Sequence, residues 1–366
     1  MKIVTVIGAR PQLIKAAMIS KAIDRYNAEN KENKIKEWIL HTGQHYDKNM
    51  NEVFLNELGM KKPHWQLNCG EIAGHTKMLA EMLLGIEKAL IESRPDFVMV
   101  YGDTNSTLAG AIAASQLNIP LIHVEAGLRS FNMNMPEEKN RVITDRLSSL
   151  LFCPTYTAVK NLANENIREG IFYVGDVMYD AVLYYGEIAE KKSKILSRYR
   201  MYGLDYYLCT VHRAENTDNP ERLTQIILAL VEMASEEHPV IFPVHPRTKV
   251  YIDNYNLNST FATNPSVILT EPVDYLDMIM LEKNAKMILT DSGGIQKEAY
   301  FHRVPCVTLR EETEWVETVN AGWNQIAGCK TEKILECVNH TSERAEIKEY
   351  GDGKAAEKII NAIVRV

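Results

Sequence analysis

Residues 97–127 read FVMVYGDTNSTLAGAIAASQLNIPLIHVEAG. Phe97 to Tyr101 is a short apolar run with β-forming residues, and it stops at Gly102-Asp103. The stretch from about Ser106 to Ser115 reads as a helix. A second run, Pro120 to Val124, ends at Glu125-Ala126-Gly127. Strand, turn, helix and strand in that order predict two parallel strands joined by a crossover helix. The same grammar extends outward. Upstream, Ile3 to Ile7 ends at Gly8, and Leu13, Ile14, Ala17 and Met18 then form a helical face with Pro11 near its start. Trp38 to Leu40 is a further strand. Downstream, Tyr207 to Val211 ends at His212-Arg213, Val240 to Val244 at His245-Pro246, and Met287 to Leu289 at Thr290-Asp291-Ser292-Gly293-Gly294. Val304 to Leu309 ends at Arg310. Between the two sets, Val177 to Arg200 reads as one long helical stretch with a solvated basic end at Lys191 to Lys194. The chain is therefore expected to be α/β, with two parallel-sheet domains, a boundary near residues 175–180 and one cleft between the sheets. There is no internal sequence repeat.

Composition agrees with this division. The 366 residues correspond to about two domains at roughly 150 residues each. With 46% hydrophobic and 24% charged residues, the chain has the make-up of a soluble globular protein rather than a disordered one. Forty-one basic against 48 acidic residues leave a net charge of −7, which lacks the basic footprint of a nucleic-acid binder. A few placed cations still suffice for one small anion. The N-terminal run before Gly8 is too short for a signal peptide, and no apolar run approaches the ~18 residues of a membrane span. The six cysteines, Cys69, Cys153, Cys209, Cys306, Cys329 and Cys337, are irregularly spaced and form no CxxC pair. They read as buried thiols in a reducing cytoplasm. His41 and His45 lie four apart without an evident third ligand, so no metal is expected.

The informative polar residues follow the strand candidates directly, where open α/β sheets bind ligands. In Gly8-Ala9-Arg10-Pro11-Gln12-Leu13-Ile14-Lys15, a glycine, a helix N-terminus and two cations suit a diphosphate. The plainer reading is a turn with surface cations. The motif is neither G-x-G-x-x-G nor G-x-x-x-x-G-K-[ST], so dinucleotide and P-loop readings lose support. Asp103, Glu125 and Glu137-Glu138 each suit a turn or a first helical turn. As a cluster they suit proton transfer, because repulsion and partial burial push carboxyl pKa values toward neutrality. His212-Arg213-Ala214-Glu215-Asn216 offers a histidine able to donate a proton or stabilise negative charge, against the reading of a surface histidine. In Asp291 to Glu298, Ser292, Gly293 and Gly294 open a helix whose free N–H groups form an anion site, and Glu298 can accept two ribose hydroxyls. The alternative is a glycine-rich N-cap.

Together these motifs, with Val124-Glu125-Ala126-Gly127-Leu128-Arg129 and Pro136-Glu137-Glu138 followed by Asn140-Arg141, resemble the non-hydrolysing UDP-N-acetylglucosamine 2-epimerase family in residues and order. The resemblance runs from residue 3 to about 320. It implies two Rossmann-like domains facing across a cleft, as in GT-B glycosyltransferases. Residues 1–176 would be the sugar-side domain, completed by a C-terminal helix at 354–366, and residues 177–353 would bind UDP. By resemblance, Ser292, Gly293, Gly294 and Glu298 would hold diphosphate and ribose, with Arg213, Met278 and Arg310 also lining the UDP-sugar. Arg10 and Lys15 would approach the phosphates. Asp103, Glu125, Glu137 and His212 would surround the sugar as catalytic groups, supported by Arg141. No cofactor or metal is implied, and the family is usually dimeric.

The reaction implied inverts C2 of an N-acetylhexosamine, UDP-GlcNAc to UDP-ManNAc type, for glycan precursor synthesis. Its C2 proton is not beside a carbonyl, so UDP leaves C1 as that proton is removed, giving a glycal-type intermediate to which UDP re-adds. The chain departs from the common pattern at Glu312-Thr313-Glu314-Trp315-Val316-Glu317, where many members carry arginine and proline at 315 and 316. It departs again at Ser130 to Met135. Both departures resemble the branch acting on UDP-2,3-diacetamido-2,3-dideoxyglucuronic acid. Gln44, His45 and His245 match parts of an allosteric UDP-GlcNAc site found in many bacterial members, but no arginine lies between residues 60 and 76 to complete it. A glycosyltransferase is disfavoured by the several acids at the sugar end. A non-catalytic UDP-sugar sensor would bind without turnover, and an NAD-dependent epimerase lacks its glycine fingerprint.

Overall fold

The computed structural model describes residues 1–44, 55–72, 74–340 and 342–366. His45 lies outside them. The described residues form two compact units: Met1–Ala181 with Lys348–Val366, and Val182–Ile347.

The first unit is built on a parallel sheet of seven strands, ordered β3-β2-β1-β4-β5-β6-β7. The strands are β1 Lys2–Ile7, β2 Lys36–His41, β3 Trp65–Gln66, β4 Phe97–Tyr101, β5 Leu121–Val124, β6 Leu150–Cys153 and β7 Ile171–Tyr173. The residues of β5 and β6 are all buried, as expected of parallel strands covered on both faces. β1 lies between β2 and β4, so the order of connections reverses at the β1/β4 gap. The helix Asn105–Gln116 links β4 to β5. It is rich in alanine and mostly buried, and Gly110 lets it approach Val100 and Val6.

The C-terminal helix Ala355–Ile363 belongs to this unit and packs on the helix Arg10–Glu29. Ile359, Ile360 and Ile363 form its buried stripe. Its first N–H groups, Ala355 at 3.0 Å and Ala356 at 2.8 Å, donate to the two oxygens of Asp180. An anion there complements the helix dipole.

The second unit carries a parallel sheet of six strands, ordered β10-β9-β8-β11-β12-β13. They are β8 Tyr207–Thr210, β9 Val240–Pro243, β10 Val267–Thr270, β11 Met287–Thr290, β12 Cys306–Thr308 and β13 Asn324–Ile326. Connections reverse here between β8 and β11. Val177 to Arg200, expected as one helix, is instead Val177–Lys192 followed by a separate turn of helix at Ile195–Arg198. Ser193 makes the break: its hydroxyl accepts from Ile195 N at 3.2 Å and donates to Asp277 at 2.6 Å, offering the backbone a partner outside the helix. The six cysteines are buried and free.

Candidate active site

Both connection reversals coincide with the residues singled out from sequence, and such points are where doubly wound sheets bind ligands. In the first unit, β1 ends at Gly8 and β4 ends at Gly102. Gln12 fastens the two ends together. Its side-chain oxygen accepts from Gly8 N at 2.8 Å and Ala9 N at 3.1 Å, and its amide donates to Tyr101 O at 2.8 Å. Gly8 carries no side chain because a Cβ there would run into the hydroxyls of Thr42 and Ser106. Sequence reasoning gave Gln12 no role. Its signal was a buried amide beside a βα turn.

Lys15 lies on the helix Arg10–Glu29 and forms an ion pair with Glu125, at the end of β5. Both side chains are about nine-tenths buried, at 8% and 10% exposure. Glu125 sits at φ +72°, a left-handed conformation that is uncommon outside glycine. It is held there because Glu125 N and Ala126 N both donate to Phe152 O at 3.0 Å. Lys15 and Glu125 line a small recess with Pro154, Gly175, Asp176 and Ile359. Gly102 adjoins the pair; a Cβ built on it would stand 3.2 Å from a Glu125 carboxylate oxygen.

Asp103, the residue after Gly102, is bonded to Arg141. Arg141 also donates to Glu138 at 2.9 Å, one helical turn away on Pro136–Leu147. Glu138 is 1% exposed and accepts from Ser130 N, Phe131 N and Ser130 Oγ at 2.9–3.0 Å. Of the two adjacent glutamates it is Glu138 that is fully buried, while Glu137 is half-buried on the first turn. Arg10 is half-buried at the start of its helix.

Behind this cluster lies a buried chain that sequence reasoning missed. His123 Nε2 is 2.8 Å from Gly102 O, and Nδ1 is 2.7 Å from Asp145 Oδ1. Arg129 donates to Asp145 at 2.7 Å and grips Glu165 with two bonds of 2.6 and 2.8 Å. Burial works to raise the Asp145 carboxyl, but His123 and Arg129 prevail and hold it below its ordinary value. The spacing of Glu138, Arg141 and Asp145 on one helical face was the available sign.

In the second unit, Asp291 follows β11 and is fully buried. It accepts from His212 N at 3.1 Å, Arg213 N at 3.0 Å and the Asn216 amide at 3.1 Å, so it shapes the loop after β8. The His212 ring is 38% exposed, with Nδ1 3.6 Å from Asp291. His245 tilts against it at 5.6 Å between ring centres. Gln44, in the first unit, accepts from Ser106 N at 2.9 Å.

Ser292 caps the helix Gly293–Phe301 without a side-chain bond of its own. Glu298 is buried 6% exposed on that helix, and Gly294 leaves room beside it. A Cβ at Gly293 would meet Glu314 at 2.5 Å. Arg310 is 1% exposed and donates to Glu314 at 3.1 Å. Trp315 is buried with the Lys297 ammonium 3.8 Å from its ring centre. Met278 is half-buried on Tyr275–Asn284, a helix that packs beside Gly293–Phe301. The structure thus gathers Lys15, Glu125, Asp103 and Arg141 in one unit, and His212, Arg213, Ser292 and Gly293 at the β8/β11 gap of the other.

Residues 27–364 match the model of one protein family, UDP-N-acetylglucosamine 2-epimerase. This chain belongs to that family. The epimerase is 52% identical over 366 residues to a UDP-N-acetylglucosamine 2-epimerase homolog of Methanococcus maripaludis, covering 99% of each chain. It is 45% identical to the UDP-2,3-diacetamido-2,3-dideoxy-D-glucuronate 2-epimerase of Pseudomonas aeruginosa, over 100% of both chains. Among solved structures, the UDP-GlcNAc 2-epimerase of Methanocaldococcus jannaschii in complex with UDP-GlcNAc and UDP superposes with a TM-score of 0.91 at 43% identity, over 100% of both chains. Among the described residues of the epimerase, no three His, Cys, Asp or Glu side chains group as a metal site, and no helix is long and apolar enough to cross a membrane.

Proposed function

We propose that this epimerase inverts C2 of a UDP-N-acetylhexosamine by elimination and re-addition of UDP. The observation that carries the reading is the pair of carboxylates at the ends of adjacent strands β4 and β5, each bonded to its own buried cation. Two carboxylates with separate partners suit a reaction that removes a proton from one face of C2 and returns one to the other. Glu125, with Lys15 against it, is the carboxylate proposed to accept the proton. Once Glu125 is protonated, the Lys15 charge is released to compensate the departing diphosphate. In the second unit, Ser292, Gly293 and Gly294 would hold the diphosphate at a helix N-terminus, Glu298 the ribose, and His212 the developing charge at the sugar end. Arg10, Arg213, Met278 and Arg310 complete the proposed contacts, with Glu137 as a further acid. In D2O, turnover should place deuterium at C2 of both epimers. Epimerisation without exchange would sink the mechanism.

A second reading keeps the chemistry and changes the sugar to UDP-2,3-diacetamido-2,3-dideoxyglucuronic acid. The sequence departures at 312–317 and 130–135 favour it, and a relative with that activity is 45% identical, beside 44% for the UDP-N-acetylglucosamine 2-epimerase of Methanocaldococcus jannaschii. Parallel assays on the two nucleotide sugars decide between them by kcat/KM. A homodimer, a cytoplasmic location and a role in supplying polysaccharide precursors are carried by family resemblance. Light scattering on the purified protein tests the first.

A further inference from the structure

We propose that His123 is a positioning residue, an imidazolium that donates from both ring nitrogens and thereby fixes the Gly102–Asp103 peptide that carries the Asp103 carboxylate. The ring is wholly buried in β5. Its two neighbours are a backbone carbonyl, Gly102 O at 2.8 Å, and a carboxylate oxygen, Asp145 Oδ1 at 2.7 Å. A carbonyl has no hydrogen to give, so Nε2 must donate. Asp145 already accepts from Arg129 Nη1 at 2.7 Å and from Gly127 N at 3.2 Å, as an ionised group does, so Nδ1 must donate as well. Neutral histidine has one N–H and cannot satisfy both acceptors.

The consequence falls on the turn after β4. Gly102 N donates to Val124 O at 3.0 Å, His123 holds Gly102 O, and the Asn140 amide donates to Asp103 O at 2.9 Å. The peptide before Asp103 is thus pinned on both sides, and its carboxylate reaches Arg141 from a fixed backbone. Displacing a reacting group by about 1 Å can lower turnover on the order of 100-fold.

The inference rests on Asp103 being catalytic, as proposed above, and the test separates the two. Epimerisation kcat and KM are measured for the full-length wild type, His123→Asn, His123→Gln, Asp103→Asn and the double variant His123→Asn with Asp103→Asn. Asparagine keeps a donor where Nδ1 stands and abandons Gly102 O; glutamine keeps a donor where Nε2 stands. His123→Asn is expected to lower kcat roughly 100-fold with KM little changed, and His123→Gln to recover most of it. In the Asp103→Asn background, His123→Asn should add nothing further. A loss that multiplies undiminished onto Asp103→Asn, or an unchanged kcat in His123→Asn, overturns the positioning role while Asp103 stands. Full turnover by Asp103→Asn overturns the reading of Asp103 and this inference with it. If His123→Asn does not fold, His123→Gln decides alone: a loss as large as that of Asp103→Asn overturns the role. On the unmodified protein, ¹⁵N shifts of the His123 ring should show both nitrogens protonated at the assay pH, and one unprotonated nitrogen overturns the assignment.

Discussion

Glu125 and Lys15 are about nine-tenths buried and form an ion pair at the end of β5. Replacing Glu125 by glutamine removes a proton acceptor while nearly preserving shape. Glu125→Gln should lower kcat by about 10²–10⁴-fold in steady-state assays, while UDP still binds by calorimetry through the proposed contacts of Ser292, Gly293, Gly294 and Glu298. Asp291 has a different kind of importance. Asp291→Ala leaves the N–H groups of His212 and Arg213 without their acceptor, and unfolding in urea should show a loss of about 1–3 kcal/mol. At this scale the sequence displayed residue types and their places after strands, which was enough to single out Asp103, Glu125, His212 and the turn at Ser292. It did not display partners. That Lys15 lies against Glu125, that Glu138 is buried more deeply than Glu137, and that His123 bridges Gly102 to Asp145 depend on contacts across up to 110 residues of chain. No local pattern encodes such pairings.

Among the elements, the C-terminal helix Ala355–Ile363 is tied to pH through Asp180, which accepts from its first N–H groups. Burial pushes the Asp180 carboxyl up to about 6, against the two helix N–H groups that favour its charge, and Asp176 and Asp352 add repulsion. The folded chain therefore holds this proton more tightly than the unfolded chain does. Stability from Asp180 is complete below the ordinary carboxyl value and is lost as pH rises through 6. Between pH 7.5 and pH 5 the wild type should gain about 1.4 kcal/mol relative to Asp180→Asn, checked by urea unfolding of both proteins at each pH. Strands with long β-branched runs, such as β1 and β4, were legible from sequence, as was the amphipathic terminal helix. β3, β6, β7, β10 and β13 were not singled out: β3 has only two residues, too few to establish a period, and β7, β10 and β13 are only partly buried, where β8, β9 and β11 are buried throughout. The break at Ser193 was hidden because its partner, Asp277, lies 84 residues away.

At the scale of the whole molecule, the sheet orders explain why separate motifs converge. The ends of β1 and β4 are joined through Gln12, and His212 meets Asp291, because each sheet reverses its winding at those strands. The first unit is discontinuous in sequence, closed by residues from the far end of the chain. Ile360→Ala should cost about 2–5 kcal/mol. Hydrogen exchange should show the loss as reduced protection in β1 to β7, with β8 to β13 little affected. That interrupted layout also orders events on the ribosome. Translation proceeds at roughly 5–20 residues per second, so roughly 10–35 seconds separate the emergence of Ala181 from that of the terminal helix. Through that interval the nascent first unit waits with the apolar seat of Ile359, Ile360 and Ile363 uncovered, while Val182–Ile347 has its entire sheet available. The unit whose strands are synthesised first is thus the one completed last, by the packing of Ile359, Ile360 and Ile363.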